Sequence, residues 1–161
     1  MKKSTCCSGD DRLIGDRTFE EQVLLYFNSK TGHSMKGAIM STVHLQQRLE
    51  DLHNHIRQGK IIEALNEFYD TDTVMQENAN PPTKGLAANI QREKQFMSGV
   101  KEWKGFHVRA TGVGNNVTFY EATADFVTTS GQYMHLEQVS VAKWQNDKIV
   151  HERFYYDTGN K

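Results

Sequence analysis

Apolar residues recur at helical spacing from residue 41 onward. The first stripe consists of Leu45, Leu49, Leu52 and Ile56. Separations of four, three and four residues place them on one face of a helix. Ser41 or Thr42 is suited to cap its start, and Gly59 to follow its end. The pattern therefore predicts an amphipathic helix that buries one face.

Two further helices are predicted before the pattern changes. The segment KIIEALNEFY, residues 60–69, predicts the second helix, and LAANIQREKQFMSG, residues 86–99, predicts the third after Gly85. Between them, residues 73–77 have the composition of a short strand. Pro81 and Pro82 then exclude both helix and sheet interior. This linking segment delivers Gln76 and Glu77 side by side at the end of the strand.

After residue 99 the chain is rich in β-branched and aromatic residues. Four strands are predicted, at residues 106–113, 117–129, 132–144 and 148–157. Gly, Asn, Asp and Ser separate them, as expected for hairpin turns. Three helices followed by an antiparallel meander predict an α+β domain with the helices on one face of the sheet.

Residues 1–40 differ from the rest in being rich in Gly, Ser, Lys and Asp. We expect them to form an accessory or poorly ordered extension, and residues 41–161 to form one α+β barrel domain. Within the extension only residues 19–27 could form a short amphipathic helix. The alternative for that segment is a helix that docks on a partner subunit.

Charge and cysteine content narrow the function classes. The 161 residues carry 19 Lys and Arg against 20 Asp and Glu, without a basic cluster, which argues against nucleic acid as a partner. No apolar run is long enough for a membrane span, and no secretory signal is present. The only cysteines, Cys6 and Cys7, are adjacent and cannot form a disulfide framework. We expect a cytoplasmic protein without a metal site.

Two stretches carry a family resemblance. EFYDTDTVMQEN followed by PPTKG, and the closing hairpin WQNDKIVHERFYYD, resemble the SnoaL-like branch of the nuclear-transport-factor-2-like superfamily. The resemblance implies a cone-shaped, curved antiparallel sheet around three helices, with a pocket at the wide end. It also implies a homodimer through the convex face of the sheet. The family includes ketosteroid isomerases, polyketide cyclases, limonene epoxide hydrolases and non-catalytic binding modules, so fold alone does not fix function.

The hairpin turns determine which strand residues face the pocket. A two-residue loop at Ser130–Gly131 would pair three residues of one strand with three of the next. The pairs are Glu121 with Ser140, Thr123 with Gln138, and Asp125 with Leu136. Because side chains alternate, all six would share one face, which the resemblance identifies as the concave one.

The last hairpin leaves two alternatives. A three-residue loop at residues 145–147 places Glu152 beside Ser140, with Phe154 and Tyr156 on the same face. A two-residue loop at 146–147 would turn Glu152 outward, since a one-residue slip inverts a strand's faces. We favour the first register because it agrees with the family resemblance.

The favoured register predicts a row formed by Glu121, Ser140 and Glu152. Two carboxyl groups in a partly apolar pocket raise each other's pKa, which suits acid–base chemistry. We expect Glu152 to act as the base and Glu121 as the acid, with Asp125 as a further catalytic candidate. Alternatively, Glu121 and Asp125 lie on an exposed face and pair with Arg109 or Lys143.

The resemblance assigns other positions. The residues that ketosteroid isomerases use for catalysis correspond to Leu52, Gln76 and Ser140, which argues against that isomerisation. Glu77 should point away from the pocket unless the strand is bulged. Only Asp125 is kept of the epoxide hydrolase carboxylates, since the last-strand acid falls at Phe154. The expected ligand contacts are Leu52, Gln76, Thr123, Gln138, Ser140, Phe154 and Tyr156.

Three functions stay open at this point. The first is an enzyme without cofactor, an isomerase, cyclase, lyase or hydrolase of a hydrophobic, oxygenated small molecule. The second is a non-catalytic ligand-binding domain with the same pocket. The third is an interaction module that uses the exposed face of the sheet.

Overall fold

The computed structural model describes residues 40–157. Three helices precede or interrupt the sheet: α1 (Thr42–Arg57), α2 (Ile61–Phe68) and α3 (Leu86–Ser98). The predicted N-terminal extension lies outside the described residues, apart from Met40. No helix within residues 40–157 combines the length and the apolar character needed to cross a bilayer.

The helices begin and end where the sequence indicates. The Ser41 side chain accepts a hydrogen bond from the His44 amide, at 3.2 Å, which confirms it as the cap of α1. Gly59 follows α1 with φ at +72°, and Gly85 precedes α3 with φ at +85°. Both values lie in the left-handed region that favours glycine.

Six strands form one sheet. They are β1 (Tyr69–Glu77), β2 (Thr83–Lys84), β3 (Val100–Gly114), β4 (Val117–Thr128), β5 (Tyr133–Gln145) and β6 (Lys148–Tyr156). The spatial order is β2-β1-β6-β5-β4-β3. β1 and β6 run parallel, and α3 and four strands, β2 to β5, separate them along the chain, which is long enough for a crossover connection. The predicted α+β fold and the antiparallel meander of β3 to β6 are confirmed. The sheet as a whole is mixed rather than antiparallel, because β1 joins it in parallel. Within residues 40–157 its edge strands β2 and β3 do not pair, so the barrel is not closed.

The core lies between the helices and the inner face of the sheet. We call inner the face that carries Tyr120, Ala122 and Ala124, which are buried, and outer the opposite one. The predicted α1 stripe supplies Leu45, Leu49 and Leu52, each at most 1% exposed, with Ile56 packed against them. The alternation of strands thus defines which residues can reach an internal cavity.

Candidate functional site

The β4–β5 hairpin has a different register from the expected one. Its loop is formed by residues 129–131, and Gly131 adopts a φ of +84°. Tyr120 therefore lies opposite Ser140, and Glu121 lies opposite Val139. One extra loop residue shifts the register by one and exchanges the faces of β4 relative to β5. Glu121, Thr123 and Asp125 consequently lie on the outer face, and the predicted row of Glu121, Ser140 and Glu152 does not form.

Glu121 and Asp125, the two carboxylates that were predicted to face the pocket, have partners on the outer face. Arg109 lies 3.4 Å from Glu121 and 2.6 Å from Glu137. Asp125 accepts hydrogen bonds from Tyr133, at 2.5 Å, and from His135, at 2.6 Å. Those hydrogen bonds lower the pKa of Asp125. The alternative that Glu121 pairs with Arg109 on an exposed face is thus the observed arrangement.

Glu152 in the β5–β6 hairpin faces inward as expected, but the turn that places it there differs from the expected one. Asn146 and Asp147 form a two-residue turn, with φ at +49° and +62°, instead of a three-residue loop. Val150 is then left without a partner in β5, as a bulge, so that His151 lies opposite Lys143. The turn and the bulge each shift the register by one residue. Glu152 therefore still faces inward, opposite Ala142 rather than Ser140.

Glu152 is fully buried behind two hydroxyl groups. Ser140 Oγ donates to its Oε1 at 2.5 Å, and the Tyr69 hydroxyl donates to its Oε2. Burial raises the pKa of Glu152 to about 7, although the two hydrogen bonds oppose the shift. Burial also raises the pKa of Tyr69 well above its ordinary value, with the adjacent Glu152 as the second cause. The carboxyl group can thus change its charge near neutral pH.

A cavity of about 480 Å³ opens between the helices and the inner face. That volume suits a small organic molecule. Its walls are mainly apolar and aromatic and include Leu52, Leu65, Phe96, Phe106, Phe126 and Leu136. Tyr69 and Tyr120 also line it, whereas Glu152 lies behind them.

Four polar side chains form a cluster at one end of the cavity. This Glu77 cluster consists of Glu77, Arg92, Glu93 and Tyr156, all of which line the cavity. The Tyr156 hydroxyl donates to Glu77 Oε2 at 2.6 Å, and Arg92 Nη1 lies 3.5 Å from Glu77 Oε1. Arg92 Nη2 donates to Glu93 Oε1 at 2.9 Å. The carboxylate side chains are 35% and 18% exposed, so the cluster lies where the cavity meets solvent.

The cluster contains groups with perturbed acidity. Burial raises the pKa of Glu93. The hydrogen bond to Glu77 raises the pKa of Tyr156 to about 12, with burial as the second cause. Burial thus makes Glu93 a weaker acid than an exposed carboxyl group, although Arg92 opposes the shift. Tyr156 keeps its proton for Glu77.

Gln76 was expected to face the pocket and Glu77 to point away from it, but the structure places them the other way round. Met75 is buried and lines the cavity, so Glu77, two residues later, shares its face. Gln76 points the other way, and its amide donates to the Asn80 carbonyl at 2.9 Å. Gln76, an expected ligand contact, therefore does not line the cavity.

The remaining predicted contacts divide into two groups. Leu52, Gln138, Phe154 and Tyr156 line the cavity. Ser140 is buried against Glu152, and Thr123 is covered on the outer face.

Three further lining residues left little signal in the sequence. Arg92 and Glu93 look like ordinary charged residues on a helix surface, and Trp103 stands before the first predicted strand. The Trp103 ring stacks on Phe126, with centroids 6.2 Å apart. Its indole N–H finds no hydrogen-bond partner in the part of the chain that the structure describes, and the nitrogen has almost no accessible surface, so it faces neither solvent nor the open cavity.

Asn78 fixes the relative position of Glu77 and Tyr156. Its side chain donates to the Tyr156 carbonyl at 3.0 Å and accepts from the Tyr156 amide at 3.1 Å. The side chain thereby replaces the backbone pairing at the point where β1 ends. Among residues 40–157, no group of His, Cys, Asp and Glu is arranged to hold a metal ion.

Solved structures share this architecture at low sequence identity. A protein from Mesorhizobium loti described as a SnoaL-like polyketide cyclase is 21% identical, with a TM-score of 0.59 over 70% of this chain and 98% of that one. One from Jannaschia sp. CCS1 with the same description is 12% identical, with a TM-score of 0.63 over 78% and 90%. An LEH-like epoxide hydrolase from Mycobacterium tuberculosis is 15% identical, with a TM-score of 0.60 over 73% and 86%.

These similarities establish the fold, and the sequence establishes the family. No curated protein matches the chain. The model of the SnoaL-like domain, however, matches residues 40–156, which include every described helix and strand. The chain therefore belongs to the SnoaL-like family.

Proposed function

We propose that this protein is a general acid–base enzyme that moves a proton on a mostly apolar, oxygenated small molecule, in the manner of an isomerase or cyclase. The observation that carries the proposal is Glu77, a carboxylate inside an apolar cavity with the Tyr156 hydroxyl 2.6 Å away. The Tyr156 hydroxyl orients Glu77 Oε2, and Oε1, which Arg92 Nη1 approaches only to 3.5 Å, would take the proton from a substrate C–H. A base held in this way suits abstraction of a proton next to a carbonyl group.

The neighbouring charges complete a reaction cycle. Glu93, whose pKa burial raises, would return the proton as the acid. Arg92 lies between the two carboxylates, 3.5 Å from Glu77 and 2.9 Å from Glu93. Its guanidinium would stabilise the negative charge that develops on the substrate oxygen. Base, acid and cation thus stand within one cluster.

The family resemblance supports the same strand. Ketosteroid isomerases place their base on the strand after the second helix, which is β1 here. The sequence suggested Gln76 for that position, but Glu77 is the β1 residue that faces the cavity. The cyclase and epoxide hydrolase descriptions belong to the similar structures and support small-molecule chemistry here only by analogy.

Hydrogen–deuterium exchange at carbon tests the proposal without knowledge of the natural substrate. A panel of cyclic and aromatic ketones is incubated with the protein in D₂O, and incorporation next to the carbonyl is measured by NMR. Glu77→Gln should slow the exchange by about 10²-fold or more. Glu121→Gln is the matched control, because Glu121 is an exposed outer-face carboxylate.

Two results would count against this function. Equal exchange rates for Glu77→Gln and the unaltered protein would remove Glu77 as the base. Saturable binding of the ketones without any exchange would favour a non-catalytic ligand-binding domain. The mainly apolar wall of the cavity supports that second candidate, since it would hold a hydrophobic ligand without any chemistry.

A further inference from the structure

Tyr69 separates the buried Glu152 from the cavity. Its ring lines the cavity, and its hydroxyl donates to Glu152 Oε2. The other carboxylate oxygen accepts from Ser140 at 2.5 Å. Glu152 itself has no exposed surface and reaches no ligand directly. The hydrogen bond through Tyr69 is therefore the direct route by which its charge can act on a ligand.

A phenol carries one proton and two lone pairs. Because the Tyr69 proton is committed to Glu152, the hydroxyl has only lone pairs left for a ligand. We propose that the Tyr69–Glu152 pair makes this part of the cavity wall a hydrogen-bond acceptor, which selects ligands with a phenolic or enolic hydroxyl over ligands with an ether or carbonyl oxygen at that point. This inference concerns binding and goes beyond the reaction proposed for Glu77.

Protonation of Glu152 would remove the selection. A protonated carboxyl group can donate to the Tyr69 oxygen, which frees the Tyr69 proton for any ligand oxygen. Burial places the pKa of Glu152 at about 7, so the selection is lost near neutral pH.

Several groups surround Glu152. Those that influence its charge are Tyr69 of β1, Ser140 of β5, Tyr120 of β4, and Arg92 and Glu93 of α3, with His53 of α1 behind Tyr120. Glu93 raises the pKa of Glu152 and Arg92 lowers it.

A matched pair of probes tests the inference. The compounds 4-propylphenol and 4-propylanisole have nearly the same shape and differ in the hydroxyl proton. Their dissociation constants are measured by calorimetry at pH 5.5 and 8.5. The unaltered protein should prefer the phenol by about 10-fold at pH 8.5, where Glu152 is ionised, and the preference should shrink towards none at pH 5.5.

Two variants separate a polar role from a structural one. Tyr69→Phe should bind both probes equally at either pH. In Glu152→Gln the side-chain amide can donate to the Tyr69 oxygen, so the phenol preference should be absent and should not change with pH. Circular dichroism establishes that each variant is folded. Should either variant fail to fold, the pH dependence of the unaltered protein decides the question.

Three results would overturn the inference. These are a phenol preference that persists in Tyr69→Phe, an unchanged pH profile in Glu152→Gln, and failure of both probes to bind. Glu121→Gln, at an exposed carboxylate of the outer face, should keep the preference. Loss of the preference in that variant would also overturn the inference, without affecting the proposed reaction. Conversely, absence of deuterium exchange would refute the reaction proposed for Glu77 and would not affect the inference that Tyr69 acts as a hydrogen-bond acceptor.

Discussion

Glu152 and His53 are both buried and titratable, and they should change the free energy of unfolding in opposite directions as the pH rises. The pKa of Glu152 is raised from 4.5 to about 7, so the folded state binds the proton more tightly than the unfolded state. Its contribution is fully present below pH 4.5 and is lost as the pH rises through 7. A shift of roughly 2.5 units corresponds to about 3 kcal/mol at 1.36 kcal/mol per unit.

His53 acts in the opposite direction. It is fully buried, 4.7 Å from the Tyr120 ring and 5.9 Å from the Phe106 ring, and burial lowers its pKa from 6.5 to about 4. The contribution of the neutral imidazole is fully present above pH 6.5 and is lost as the pH falls through 4. The shift is again about 2.5 units, or about 3 kcal/mol. Between pH 4.5 and 6.5 the two slopes should nearly cancel.

Glu152→Gln should make the pH dependence contributed by His53 measurable, because it removes the opposing contribution of Glu152. Glutamine keeps the shape of the side chain and removes its titration. Free energies of unfolding are measured by urea denaturation from pH 4.5 to 8.5. Relative to the unaltered protein, the variant should gain about 3 kcal/mol across this range, and its own stability should rise with pH up to 6.5.

The companion variant His53→Phe should show the reverse. Phenylalanine fills the space between the two rings, and neither imidazole nitrogen has a hydrogen-bond partner within residues 40–157 to lose. Its stability should fall as the pH rises from 4.5 to 7. A constant difference between Glu152→Gln and the unaltered protein at every pH would refute the reasoning, because it would mean that Glu152 has the same pKa in both states.

Three further outcomes are expected. Asn78→Ala should lower the free energy of unfolding by about 2 kcal/mol in urea denaturation, since it removes two hydrogen bonds to Tyr156. Trp103→Phe should change calorimetric binding of a cyclic ketone no more than that of the matching hydrocarbon, because the N–H that is lost does not face the cavity. We also propose that the outer face of the sheet forms a homodimer contact, where Val139 is 39% exposed beside Phe119 and Tyr155. Val139→Glu should then reduce the light-scattering mass from two chains to one, and an unchanged mass would contradict this contact.

The spacing of apolar residues was sufficient to predict the helices and strands, because it shows directly which side chains are buried. The α1 stripe and three of the four long strands lie where the hydrophobic pattern indicated, whereas β3 begins at Val100, before the predicted start at residue 106. The parallel pairing of β1 with β6 left no such trace, since a strand's composition does not identify its neighbour. Helices and strands were therefore predictable, while the mixed character of the sheet was not.

The site was harder to predict because the facing of a strand depends on whether a loop has an odd or even number of residues. The predicted loop had two residues, 130 and 131, whereas the observed loop has three, 129–131. This difference places Glu121 and Asp125 on the face opposite to the predicted one. For Glu77 the signal was present, because alternation from the apolar Met75 places it inside. Arg92 and Glu93 gave no signal, since a charged helix residue reveals nothing about a cavity that forms only on packing.

The bulge at Val150 bears on how this family can vary in length. It adds one residue to β6 and so corrects the facing that the two-residue turn at Asn146–Asp147 would otherwise give to Glu152. A deletion at Val150 would remove the bulge and leave Glu152 opposite Ala142, still facing inward, because the strand pairs on either side of Val150 do not depend on it. Homologous sequences should therefore be able to lack this one residue without reversing the faces of the last strand. An alignment of the family should accordingly place a single gap at Val150, and every residue of the strand beyond it then keeps its face.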